Sequence, residues 1–171
     1  WRLWDYWERH LDPDLFIDRS LKGKVRNKVV VITGGSSGIG LSTAQRVAEA
    51  GAVTVIVARG EEELFKARDQ MKAAGGKVFA YTADLADMAD CDRLVEKVLA
   101  EHGQVDILVN NAGRSIRRSI ELSYDRFHDF ERTMQLNYFG SLRLIMGFMP
   151  GMTKRRKGHI INISSIGVLA N

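Results

Sequence analysis

The chain has 171 residues, which fits one domain large enough to bury a core without disulfide or metal staples. A hydrophobic share of 45% and a charged share of 27% exclude a wholly disordered or collagen-like chain. The net charge is +4 with a pI near 9.3, but 21 acidic residues are interspersed with 25 basic ones, so charge alone names no nucleic-acid partner.

The first residues differ from the rest. Trp1, Trp4 and Trp7 fall at helical spacing, Asp12-Pro13 interrupts, and Lys22, Lys24, Arg26 and Lys28 follow. Residues 1–27 therefore read as an amphipathic helix and a linker. The tryptophans either pack on this chain's own body or meet an upstream domain or another subunit, as in a homo-oligomer. Val29 to Thr33 is a β-branched run, apolar on both faces, as a central parallel strand should be. A glycine-rich turn leads into a helix over 39–50, which Gly51 ends. Val53 to Ala58 is a second strand, 61–74 a helix, and Val78 to Ala83 a third strand. Cys91, Leu94, Val95, Val98 and Leu99 have the spacing of an amphipathic helix that Gly103 closes. Val105 to Val109 is a fourth strand, 124–149 one long helix, and Ile160 to Ile163 a fifth strand.

This alternation predicts an α/β domain over 28–171, a Rossmann-type doubly wound parallel sheet. Such sheets commonly have about six strands, so the expectation is a domain truncated after the fifth.

The strongest chemical signal is Thr33-Gly34-Gly35-Ser36-Ser37-Gly38-Ile39-Gly40, between a strand and a helix. Glycine lets the backbone turn sharply and approach a pyrophosphate closely. The helix N-terminus then offers free N–H groups and a partial positive charge. No Lys-Ser or Lys-Thr follows the last glycine, so this is not a P-loop. Gly34, Ser36, Ser37, Gly38, Ile39 and Gly40 are the expected cofactor-binding set. Cys91 is the single cysteine, which excludes a disulfide framework and fits a reducing compartment. The N-terminus has no secretory pattern and no apolar run approaches a membrane span, so the expectation is a cytoplasmic protein. The four histidines are scattered and suggest no metal site. Lys154-Arg155-Arg156-Lys157 reads as a solvated loop, without the interleaved aromatic rings that would suggest nucleic acid.

The spacing T-G-x-x-x-G-x-G resembles that of the short-chain dehydrogenase/reductase superfamily. Further signatures follow in order: Asp84-Leu85, Asn110-Asn111-Ala112-Gly113, Leu136-Asn137-Tyr138, and Asn162-Ile163-Ser164-Ser165. The resemblance covers about Lys28 to Asn171. It implies that Asp84 and Leu85 meet the adenine, and that Asn111, Ala112 and Gly113 line the cofactor's ribose. It also implies that Asn137 supports a proton relay and that Ser165, with Ser164 as its rival, hydrogen-bonds the substrate carbonyl. The family's acid is a tyrosine with a lysine four residues on. None of Tyr6, Tyr81, Tyr124 or Tyr138 has that partner, so the pair is expected beyond Asn171. The second strand ends in Ala58-Arg59, where an acidic residue would select NAD. Arginine there can grip a 2′-phosphate with two parallel hydrogen bonds, which favours NADPH.

The stretch Asn110 to Asn171 resembles, in detail, the bacterial NADPH-dependent fatty acyl-CoA reductases, some of which carry this module after a second reductase domain. The resemblance implies hydride transfer from NADPH to the thioester carbonyl of a fatty acyl-CoA, giving a fatty aldehyde and in two-domain enzymes an alcohol. Arg114, Arg117 and Arg118 are candidates for reading the CoA phosphates. Two alternatives stay open: a ketone or aldehyde reductase of the same fold, and a catalytically silent nucleotide-binding domain.

Overall fold

The computed structural model describes residues 20–116 and 118–165. Ser20 opens a short helix, α1 (Leu21–Val25), by accepting the Gly23 N–H at 3.0 Å. Val25 is buried, so the end of the segment read as a linker joins the core. Then follow β1 (Val29–Thr33), α2 (Gly38–Glu49), β2 (Val53–Ala58), α3 (Glu61–Ala73), β3 (Lys77–Thr82), α4 (Met88–His102) and β4 (Ile107–Asn110). After them come a 3-10 turn (Ile120–Leu122), α5 (Phe127–Met134), a π-helical stretch (Gln135–Gly140), α6 (Ser141–Arg155) and β5 (His159–Asn162).

The strands form one parallel sheet in the order β3-β2-β1-β4-β5. Every residue of β1 is buried, because helices cover both of its faces. Val29 and Val31 face a cluster that holds Leu94 and Val98 of α4 with Leu144 and Phe148 of α6. Val30 and Ile32 face the other, with Ala44 and Val47 of α2 and Leu64 and Met71 of α3. Strand alternation thus places each side chain in one of two layers.

The third and fifth strands each begin and end one residue earlier than the sequence reading placed them, and two elements differ further. The fourth strand begins at Ile107, and the Val105 carbonyl before it accepts from Arg155 at 2.8 Å. The single long helix is instead α5, a π stretch and α6, and it runs past Pro150 to Arg155. Pro150 is tolerated on the exposed side of α6. The π stretch adds one residue to a turn, which hydrophobic spacing does not reveal.

The packing of α4 on β3 includes a polar triad. Tyr81 donates its hydroxyl to Glu101 Oε2 at 2.6 Å, and that hydroxyl lies 2.8 Å from His102 Nε2. The Phe79 ring meets His102 edge-on at 4.6 Å. Burial holds the His102 imidazole below its usual range; Glu101 opposes this and Lys77 adds to it. The folded chain therefore prefers neutral His102. The stability this provides is complete above the unfolded value near 6.5 and is lost as pH falls through the lower folded value. Melting temperatures from about pH 7.5 to about pH 5.5 should fall less steeply in His102→Gln than in wild type. Identical slopes would contradict a depressed His102.

Candidate functional site

The sheet order reverses between β1 and β4, so the turns that follow these strands lie side by side at their carboxyl ends. The turn after β1 is tied to β2, as the N–H groups of Gly34 and Gly35 both reach the Val57 carbonyl, at 2.7 and 3.2 Å. Gly34 has φ +67°, and a Cβ there would stand 2.9 Å from Asn111 Nδ2. At Gly40, in the first turn of α2, a Cβ would collide with the Gly34 carbonyl. Only glycine fits both places.

A second set of bonds locks this turn to the one after β4. The buried Thr33 hydroxyl accepts the N–H groups of Asn111 and Ala112, both at 2.9 Å. It lies 3.4 Å from the Val109 carbonyl, to which it donates. The Asn111 side-chain amide donates back to the Thr33 carbonyl at 2.9 Å and the Gly34 carbonyl at 3.4 Å. Asn111 therefore holds the turn together, a role that its expected place beside a ribose did not suggest.

Between these turns and the ends of β2 and β3 lies a cleft of about 240 Å³. Gly34, Ser36, Arg59, Leu85, Ala112 and Gly113 line it, and each was a site candidate from sequence. Leu136 lines it as well and was not foreseen, although it belongs to the Leu136-Asn137-Tyr138 signature. Ser37 stands at the N-cap of α2 with no side-chain cap bond, and Gly38 and Ile39 begin that helix, exposed beside it. The first N–H groups of α2 thus have no capping side chain. Glu63 folds back on Gly60, with Oε2 2.7 Å from where a Cβ would stand, so its carboxylate sits at the N-terminus of α3.

Asp84 closes its own turn. Its Oδ1 accepts the Ala86 N–H at 3.0 Å, and Asp90 Oδ2 accepts the Asp84 N–H at 2.6 Å. Asp87 caps α4 through the Ala89 N–H at 2.9 Å. Asn137 lies in the π stretch, 23 residues after Arg114, and clamps it in both senses. Asn137 Oδ1 accepts the Arg114 N–H and its Nδ2 donates to the Arg114 carbonyl, each at 2.8 Å. Gly140 lets the same stretch pack directly on the Leu85 carbonyl. The π stretch therefore sets both the cleft wall and the loop leaving Gly113.

The remaining candidates spread around the cleft mouth. Ser164 and Ser165 follow β5, where the Ile163 N–H bonds the Asn110 carbonyl at 2.9 Å, so they share the carboxyl end of the sheet. Arg114 is exposed. Arg118 pairs with Asp129 at 3.4 Å, and Asp129 also holds Arg126 at 2.8 Å. Arg117 lies outside the described residues. Cys91 is fully buried, and burial first, then four nearby aspartates, push its thiol up to about 11. It is no nucleophile for a thioester. Among the described residues no cluster of His, Cys, Asp or Glu could hold a metal ion.

The glycine cradle, the uncapped start of α2 and the basic edge at Arg59 fit a phosphate-bearing dinucleotide. Comparison with known proteins agrees. The short chain dehydrogenase family matches residues 28–170, and the chain belongs to that family. It is 52% identical over 155 residues to a fatty acyl-CoA reductase of Acinetobacter baylyi, covering 91% of this chain and 52% of that protein. A fatty acyl-CoA reductase of Mycobacterium tuberculosis is 45% identical over 162 residues, covering 94% and 55%. The chain thus spans about half the length of these curated relatives. A metagenomic short-chain oxidoreductase solved in complex with NADP superposes with a TM-score of 0.78 at 33% identity, covering 82% of this chain and 63% of that one. No helix among the described residues is long and apolar enough to cross a membrane.

The Asn137 clamp has a direct readout. Asn137→Ala should leave the fold intact, since Arg114 is exposed and water can replace the lost bonds at a cost of about 1 kcal/mol. Amide exchange at Arg114 should then accelerate at least about tenfold, because its N–H loses its acceptor. Unchanged exchange there would show that the loop is held by something else.

Proposed function

We propose that this chain forms the nucleotide-binding part of an NADPH-dependent reductase acting on the thioester carbonyl of a fatty acyl-CoA. The observation that carries the cofactor half is Arg59 at the cleft edge, beside Ala58 where an acid would select NAD. Its guanidinium suits a 2′-phosphate. The Gly34–Gly40 turn and the start of α2 would take the pyrophosphate, with Leu85 beside the adenine. Bound NADPH supplies hydride; with one proton, the acyl thioester becomes an aldehyde and the CoA thiol is released. Ser165 would donate its hydroxyl to the carbonyl oxygen and stabilise the charge that grows there. Asn137 would keep the loop after Gly113 in place at the substrate side.

The substrate half is supported by the two fatty acyl-CoA reductases that this chain resembles. The loop from Arg114 lies at the carboxyl end of the sheet, where ligands of such folds bind. Arg114, Arg117 and Arg118 are its candidates for the CoA phosphates. Arg118 would have to share itself between Asp129 and the ligand. A second reductase domain in the same polypeptide would extend the product to the alcohol. The cytoplasm, where NADPH and acyl-CoA meet, is the proposed location.

The test uses the full-length protein with a fatty acyl-CoA, monitoring nicotinamide oxidation and thiol release. Both should appear together with NADPH and hardly at all with NADH. Arg59→Ala should reduce the NADPH-over-NADH ratio of kcat/KM by at least about tenfold, the scale of losing a charge-assisted bidentate contact. An unchanged ratio would remove Arg59 from the cofactor. Turnover of a ketone or free aldehyde, with none of the CoA ester, would favour the simpler carbonyl reductase.

A further inference from the structure

We propose that the end of the sheet opposite the cleft, where β1, β4 and β5 begin, docks on an anionic lipid surface. Two basic runs that are far apart in sequence meet there. Lys22, Lys24, Arg26 and Lys28 lead into β1, and Lys154, Arg156 and Lys157 lead into β5. Asp106 joins the two ends through its backbone. Its N–H donates to the Val29 carbonyl, and its carbonyl accepts the His159 N–H, both at 2.9 Å. With β4 between them, β1 and β5 start about 10 Å apart.

These seven cations are exposed, and none pairs with a carboxylate of a described residue. The Asp106 carboxylate is occupied by the Val29 N–H at 2.9 Å and by Gln104 at 3.0 Å. Glu49 and Glu101, at the neighbouring helix ends, are exposed carboxylates, and Tyr81 donates its hydroxyl to Glu101. Against these three carboxylates the cations leave the face with a surplus of positive charge.

Its make-up favours lipid over nucleic acid. Five of the seven cations are lysines, compact charges that need no fixed partner geometry. Leu21 stands among them, 46% exposed, as an apolar side chain that can enter the headgroup layer. Rings on which bases could stack are not interleaved with the lysines. The cleft opens at the other end of β1, about 17 Å away for a strand of this length. Docking therefore leaves the cleft facing water.

The experiment is co-sedimentation of the full-length protein with vesicles of phosphatidylcholine alone and with about one-third phosphatidylserine. Binding should require the anionic lipid and weaken with salt. Each lysine neutralised should lower partitioning about fivefold, so Lys22→Gln/Lys24→Gln/Lys28→Gln should lose on the order of a hundredfold. Its affinity for NADPH should stay that of wild type, which shows that the variant is folded. Lys66→Gln, in the first half of α3 and away from the strand starts, should bind vesicles with a loss of less than about twofold. Equal binding to both vesicles, no binding, or a triple variant that binds like wild type would each overturn the proposal. Tighter binding to a short RNA or DNA duplex than to anionic vesicles would reassign the face to nucleic acid.

Discussion

The Thr33 hydroxyl is the contact on which the cleft depends. It sits at the end of the central strand, 1% exposed, and accepts two backbone N–H groups from the turn after β4. Parallel strands β1 and β4 would otherwise end in turns with buried donors left unpaired, at about 1–3 kcal/mol each. The same contact brings Asn111 against Gly34, and the close approach then excludes any side chain at Gly34 and Gly40. The glycine turn is therefore shaped from two sides: β2 pulls on its N–H groups and β4 packs against its carbonyls.

From that junction the functional geometry spreads outward. Ala112 and Gly113 leave it as cleft wall, and Arg114 follows under the control of Asn137. The π stretch is what allows this, since Asn137 must aim at Arg114 while Gly140 packs on Leu85. One extra residue in a helical turn thereby couples the cleft wall at Leu85 to the loop after Gly113. A bidentate pair of Arg143 with Asp92, both bonds at 2.6 Å, fastens α6 to α4 and keeps this wall in register.

Much of this was legible in the sequence, for identifiable reasons. β1 and β2 were read with the bounds they have, because continuous β-branched runs between turn signals leave little choice. The glycine turn was legible because its neighbours in sequence are its structural context. Less legible was whatever depends on distant partners. The pairing of Arg118 with Asp129 and the clamp of Asn137 on Arg114 join residues whose spacing follows no period. The bonds of the Asn111 amide to two carbonyls of the first turn likewise join residues far apart in sequence. The π stretch was hidden because its apolar residues keep a helical rhythm on either side. The helix before β1 was hidden because five residues between basic side chains carry too weak a pattern, and only Val25 is buried.

The most direct measurement is NADPH affinity and folding stability of Thr33→Val in the full-length protein. Valine keeps the shape and removes the acceptor, leaving the Asn111 and Ala112 N–H groups unpaired. Stability should fall by about 2–4 kcal/mol, and affinity for NADPH should fall at least about tenfold under conditions where circular dichroism shows the variant folded. A folded variant that binds NADPH as tightly as wild type would contradict the claim that this hydroxyl builds the cleft.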